Sequence, residues 1–108
     1  MARESLGDFE QRVLLTLLRL GEDAYSVPIV RELEQRTGKE VAAAAVYIAL
    51  RRLEERGLVR SELRDPGEEG GRDRRHFLLT AVGRERLREA HRTYMTLADG
   101  LGPLLEDG

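Results

Sequence analysis

The sequence predicts a mainly α-helical fold with one small β-hairpin, and three observations predict it. Apolar residues recur at three- and four-residue steps in four separate stretches. The first three stretches are closed by Gly21, Gly38 and Gly57, the residue type that most readily takes the left-handed turn at a helix end. Between the third and fourth stretches, two short extended runs flank a loop rich in glycine and charge. A length of 108 residues suits one core, and 41% hydrophobic residues exclude a chain too polar to bury one.

In the first helix, Ser5 with Asp8 three residues on resembles a capping box, and Phe9, Val13, Leu14, Leu17, Leu18 and Leu20 follow. The apolar stripe is broad. Leu14, Leu15 and Leu18 lie round the side from Phe9, Val13 and Leu20, so one flank is open either to a partner or to the domain's own core. Ser26 is placed to cap a second helix with Pro28 in its first turn, Val27, Val30 and Leu33 as its buried stripe and Thr37-Gly38 at its end.

A third helix runs from about Ala42 to Arg56, with Val46, Leu50 and Leu53 on one face. The second and third helices, joined by Gly38-Lys39-Glu40-Val41, make a helix-turn-helix. The runs Leu58–Leu63 and Arg74–Leu79, around the loop Asp65–Gly71, make a hairpin that reads as a wing. Thr80 caps the last helix, whose stripe is Leu87, Ala90, Tyr94, Leu97 and Leu101. Gly100, Gly102 and Pro103 weaken it, so Leu104 and Leu105 are expected in a frayed tail. The predicted architecture is a winged helix-turn-helix over residues 1–80, followed by a C-terminal dimerisation helix and tail over 81–108.

Composition narrows the chemistry. The chain has no cysteine, which excludes disulfides, thiolate zinc sites and thiol nucleophiles. Its two histidines, His76 and His91, fall in different elements, and no metal or other cofactor is expected. No nucleophile–base set or phosphate loop is visible, so an enzyme is not expected. The longest apolar run, Val13 to Leu20, contains Arg19 and is far short of the ~20 residues that span a bilayer. Met1-Ala2-Arg3-Glu4 lacks the basic flank and cleavage site of a secretory signal, and the expected location is the cytoplasm.

The net charge of −2 hides a gradient. Residues 1–40 carry net −2, residues 41–92 carry 12 arginines against 9 acids, and residues 93–108 carry three acids and no cation. The basic part is the segment that holds the third helix and the wing, where phosphate contacts would need it.

Several stretches together resemble the PadR family of bacterial transcriptional regulators, specifically its short members with a single C-terminal helix. They are Phe9-Glu10-Gln11 before Val13-Leu14-Leu15, Asp23-Ala24-Tyr25, Ala45-Val46-Tyr47 with Leu50 and Leu53, Glu54-Glu55-Arg56-Gly57-Leu58-Val59, Gly70-Gly71-Arg72, Arg74-Arg75 and Leu79-Thr80-Ala81-Val82-Gly83. The pattern departs from the family at Ala42, where a capping serine is common, at Ile48 in place of a polar residue, and at His76-Phe77 in place of a Tyr-Tyr pair. The resemblance implies a winged helix dimerised through its first and last helices, bound to a pseudo-palindromic operator, usually as a repressor. It also implies a small-molecule effector in some members, flat and aromatic. This chain has no tryptophan to stack on one, which leaves Tyr94 as the substitute; a regulator without a ligand is the alternative.

On the third helix, the side opposite Val46, Leu50 and Leu53 carries Ala44, Ile48, Arg51 and Glu55, with Ala43 and Tyr47 on one flank and Arg52 on the other. Ala43, Ala44 and Ile48 suit thymine methyls rather than paired hydrogen bonds to bases. The family resemblance places Tyr47 on the sugar-phosphate backbone; the alternative is a core tyrosine under the wing. One of Arg51 and Arg52 is expected on a phosphate, since Glu54 and Glu55 are near enough to pair with the other. In the wing, Arg72 and Arg74 fall on the face opposite Arg75, and one face is expected to meet double-stranded DNA unless Glu68, Glu69 and Asp73 neutralise it.

The last helix is too short for a coiled coil of its own. Phe9, Leu14 and Leu18 of one protomer are therefore expected to pack on Leu87, Tyr94, Leu97 and Leu101 of the other in a homodimer. The competing function is a protein-interaction module that keeps the fold and uses the apolar third helix as its contact surface.

Overall fold

The computed structural model describes residues 5–107, so Met1–Glu4, the segment that lacks the features of a secretory signal, lies outside the described residues. Helices α1 (Asp8–Leu20), α2 (Ser26–Thr37) and α3 (Ala43–Glu55) lead into strands β1 (Val59–Arg64) and β2 (Arg74–Leu79), then α4 (Ala81–Ala98) and α5 (Gly102–Asp107). The strands pair antiparallel with Val59 opposite Leu79 and Arg64 opposite Arg74. A mainly helical fold with one hairpin is what the periodicity predicts. No helix among the described residues is long and apolar enough to cross a membrane.

One core unites the elements. Val13, Leu14 and Leu17 of α1 meet Ile29 and Leu33 of α2, then Val46, Leu50 and Leu53 of α3, with Leu58, Val59, Phe77 and Leu87 closing it from the hairpin and α4. Thr16, polar and buried, donates its hydroxyl to the Arg12 carbonyl at 2.8 Å, so its burial leaves no donor unpaired. A third chain segment borders the hairpin, because the Phe77 amide donates to the Ala24 carbonyl at 2.9 Å.

Several helix details correct the sequence reading. Neither Ser5 nor Ser26 caps a helix. Gly7 is the N-cap of α1, and its amide donates to Glu10 Oε1 at 2.9 Å. Tyr25 is the N-cap of α2, without a side-chain cap. The Glu10 carboxylate also accepts from Arg56 Nη1 at 3.3 Å, so one half-buried acid joins the start of α1 to the end of α3. On α2 the buried stripe is Ile29 and Leu33 rather than Val27, which is exposed. Ile29 and Leu33 lie about 40° apart around the helix, whereas Val27 and Leu33 lie about 120° apart and cannot share a narrow buried face. Leu104 and Leu105 lie in α5 rather than in a frayed tail. Pro103 stands in the first turn of α5, where a missing amide leaves no bond unmade.

The junction of α3, β1 and α4 is the tightest in the chain. Gly57, at φ 75°, turns the chain out of α3, with Leu58 N donating to Leu53 O at 2.9 Å and Gly57 N to Glu54 O at 3.0 Å. Thr80 then binds that turn. Its amide donates to Leu58 O at 3.1 Å, its hydroxyl faces the carbonyls of Gly57 and Leu58 at 2.8 and 3.0 Å, and its oxygen accepts from the Gly83 amide at 3.0 Å. Gly83 lies directly over Leu58, where an added Cβ would stand 2.0 Å from the Leu58 oxygen. That separation forbids any side chain unless the backbone moves.

Beyond buried Leu87, α4 leaves the body. Residues 91–97 are all exposed. The radius of gyration, 15.7 Å, exceeds the ~13 Å of a compact chain this long because of that projecting arm. Two substitutions test the junction. Gly83→Ala is expected to lower unfolding free energy by about 3 kcal/mol in urea denaturation, as an overpacked contact with backbone. Thr80→Ala is expected to lower it by about 1 kcal/mol, as a lost N-cap.

Candidate nucleic-acid interface

Helix α3 presents to solvent the side the sequence predicts. Val46, Ala49, Leu50 and Leu53 are buried, while Ala43, Ala44, Tyr47, Ile48, Arg51 and Arg52 are exposed. Tyr47 is 53% exposed, which excludes the alternative of a core tyrosine. Its N-cap, Ala42, supplies no side-chain bond. Ile48 and Arg52 line a groove beside Phe9 and Glu10, towards the start of α1. The opposite flank, Tyr47, Arg51 and Glu54, runs towards the wing, because Glu54 Oε2 accepts from Ser61 Oγ of β1 at 2.6 Å. Glu54 is thereby engaged with Ser61, and neither Arg51 nor Arg52 forms an ion pair among the described residues.

The wing separates its arginines as strand alternation requires. Arg75 is exposed and donates from Nη1 to Ser61 Oγ at 3.0 Å, so it stands on the α3 side of the hairpin. Arg74 points the other way, its guanidinium 4.5 Å from the centroid of the Tyr25 ring. The His76 ring is tilted against the same tyrosine at 5.2 Å. His76 Nδ1 lies 2.9 Å from the Glu22 carbonyl, which can only accept, so this nitrogen carries the proton. Arg64 adds bonds to the Glu22 carbonyl at 3.1 Å and to Glu62 Oε1 at 2.6 Å. The hydrogen bond from Arg64 holds the Glu62 carboxyl below its ordinary range. This outer face thus ties the wing to the segment between α1 and α2. Arg72 is exposed in the loop, and neither it nor Arg75 forms an ion pair among the described residues.

A helix-turn-helix, a wing with one arginine facing α3, and a final helix locked to their junction form one arrangement. Residues 14–89 match the family model described as the transcriptional regulator PadR-like family. The chain belongs to the PadR-like family. A crystal structure of a PadR family regulator from Eggerthella lenta is 35% identical, covers 93% of this chain and 89% of its own, and superposes with a TM-score of 0.68. RosR from H. salinarum is 25% identical over 88% of this chain and 79% of its own, with a TM-score of 0.69. A PadR-like regulator from Bacillus cereus, 21% identical over 90% of each chain, shares the fold with a TM-score of 0.75. No curated protein matches the chain. Membership makes this PadR-like chain a transcriptional regulator rather than an enzyme.

The residues expected at a dimer interface divide in this PadR-like fold. Leu18, Tyr94, Leu97 and Leu101 are exposed, Leu97 by 72%. Leu14 and Leu87 are buried in the protomer's own core, and Phe9 is half-buried against it, so these three are first of all intrachain contacts. The apolar flank of α1 is instead Leu15 with Leu18, and the arm adds Met95, Leu104 and Leu105. The Tyr25 contacts were also absent from the sequence reading; strand parity separates Arg74 from Arg75 but says nothing of which residue covers either face.

If the Tyr25–Arg74 contact fixes the wing, a double-mutant cycle with Tyr25→Leu and Arg74→Ala is expected to give a coupling of about 0.5–1 kcal/mol in urea unfolding. Additive effects would show that the ring and the guanidinium act independently.

Proposed function

We propose that this regulator binds a pseudo-palindromic operator in double-stranded DNA as a homodimer and represses the adjoining promoter. The observation that carries the DNA reading is the placement of exposed Tyr47 and Arg51 on α3 beside exposed Arg75 on the near face of the wing, linked through the half-buried Glu54–Ser61 bond. Repression, rather than activation, rests on the family resemblance.

In this reading the N-terminal half of α3 enters the major groove, with Ala43, Ala44 and Ile48 against base edges. Apolar side chains there favour thymine methyls, so direct readout is modest and DNA shape supplies much of the discrimination. The Tyr47 hydroxyl donates to a phosphate, and Arg51, with Arg52 on the far flank, supplies charge to the backbone. Arg75 and Arg72 meet phosphates or the minor groove. Arg74 acts indirectly, by holding the wing against Tyr25.

The homodimer joins the exposed flank of α1, Leu18 included, to Tyr94, Leu97 and Leu101 on the partner's arm. Its support is the exposed stretch of α4 from residue 91 to 97, whose Tyr94, Met95 and Leu97 are large apolar side chains open to solvent, since an apolar stripe of that kind marks an interaction surface. Tyr94 also lines a groove with Leu6, Gln11 and Ala90, the place in this reading for an aromatic effector.

Binding to duplex from the chain's own upstream region, measured across a salt series, tests the function. Affinity is expected to fall steeply with salt and to exceed that for random duplex. Equal binding to both at every salt concentration would leave the protein-interaction reading in its place. Arg75→Ala is expected to weaken binding to all sequences alike and to lower the salt slope by about 1, whereas Ile48→Ala is expected mainly to change preference among sequences.

A further inference from the structure

The body carries a groove that the arm's tip complements. Between α1 and α2, Leu15 and Leu18, exposed by 50% and 45%, lie over the buried floor of Leu33. Arg12, Arg19 and Arg36 stand at the rim of this groove. Arg19 and Arg36 share the single carboxylate of Glu32, at 3.8 and 2.5 Å, and Arg12 forms no ion pair among the described residues. Three cations against one acid leave the rim net positive around an apolar centre.

Helix α5 has the opposite character. Leu104 and Leu105 are 69% and 65% exposed and are followed at once by Glu106 and Asp107. Residues 93–108 contain three acids and no cation. Both halves of a complementary pair thus occur in one chain. At the end of the projecting arm, residues 99–107 are all exposed, so α5 is left uncovered by its own body. A second copy supplies the missing half, and in a two-fold dimer the contact occurs twice.

We propose that α5 of each protomer seats on the α1–α2 groove of its partner, Leu104 and Leu105 on Leu15 and Leu18, with Glu106 and Asp107 among Arg12, Arg19 and Arg36. The proposal rests on the homodimer reading and specifies where the arm ends. It makes the acidic tail a clamp on α2, the first helix of the helix-turn-helix. The clamp's charge is matched within the dimer, away from the DNA-facing arginines.

The test uses the full chain in two charge-reversed forms, one with Arg12→Glu and Arg36→Glu, the other with Glu106→Arg and Asp107→Arg. All four positions are exposed, so circular dichroism is expected to match the unaltered protein. Sedimentation of each form alone is expected to show dimerisation weakened about tenfold. An equimolar mixture is expected to recover the original affinity, because each tail then faces a groove of opposite sign. As a second measurement, the cysteine-free chain allows Thr37→Cys and Leu105→Cys forms to be mixed with a short bismaleimide, and a covalent heterodimer is expected. Reversed forms that dimerise as tightly as the unaltered chain, with no cross-link, would overturn the α5 seat while leaving the homodimer in place. A monomeric unaltered chain would overturn the homodimer reading and this proposal together.

Discussion

The close approach of Gly83 to the Leu58 carbonyl, with Thr80 bonded to the same turn, fixes how α3, the hairpin and α4 meet. It is a contact between backbones, so its geometry varies little with side-chain motion. Gly57 ends α3 there, β1 begins there, and α4 starts from there. The direction of the arm relative to α3 is therefore set within a few residues. Buried Leu87, one turn further on, extends the constraint, and from residue 91 the helix runs exposed. A rigid link of this kind lets association at one end of the molecule determine where the α3 helices lie at the other.

The hairpin divides its labour between two faces. One is occupied: Arg74, His76 and Arg64 hold the wing to Tyr25 and the Glu22 carbonyl. The other carries Arg75 towards α3, linked through Ser61 to Glu54. A net acidic protein can still present cations to a polyanion when its acids lie elsewhere, and here residues 93–108 hold three of them. In the proposed complex α3 offers shape and methyl contacts more than hydrogen bonds, which would place affinity chiefly in the wing and the α3 flank beside it.

Much of this was legible in the sequence because the signals were local. Gly38 and Gly57 mark helix ends through backbone conformation alone, Thr80 caps α4 as read, and the loop between Arg64 and Arg74 separates two paired strands. The exposed face of α3 followed from the 100° step per residue. What was not legible depends on packing across the chain. Ser26 is a good capping residue, yet the chain enters α2 one residue earlier, where Tyr25 is held by the wing. Leu14 and Leu15 are neighbours of equal hydrophobicity, and only the position of the other helices buries the first and leaves the second exposed. Leu87 carries the same periodic signal as Leu97 but lies at the junction rather than on the arm.

In the proposed homodimer, a fixed junction and a self-complementary arm hold the two α3 helices one DNA turn apart before DNA arrives. The most direct measurement is the distance between nitroxide labels at Ala44→Cys, introduced into the cysteine-free chain and read by double electron–electron resonance without DNA. A single narrow distribution near ~34 Å, one helical turn of duplex, is expected. A broad distribution, a distance far from one turn, or no dipolar coupling at all would contradict it.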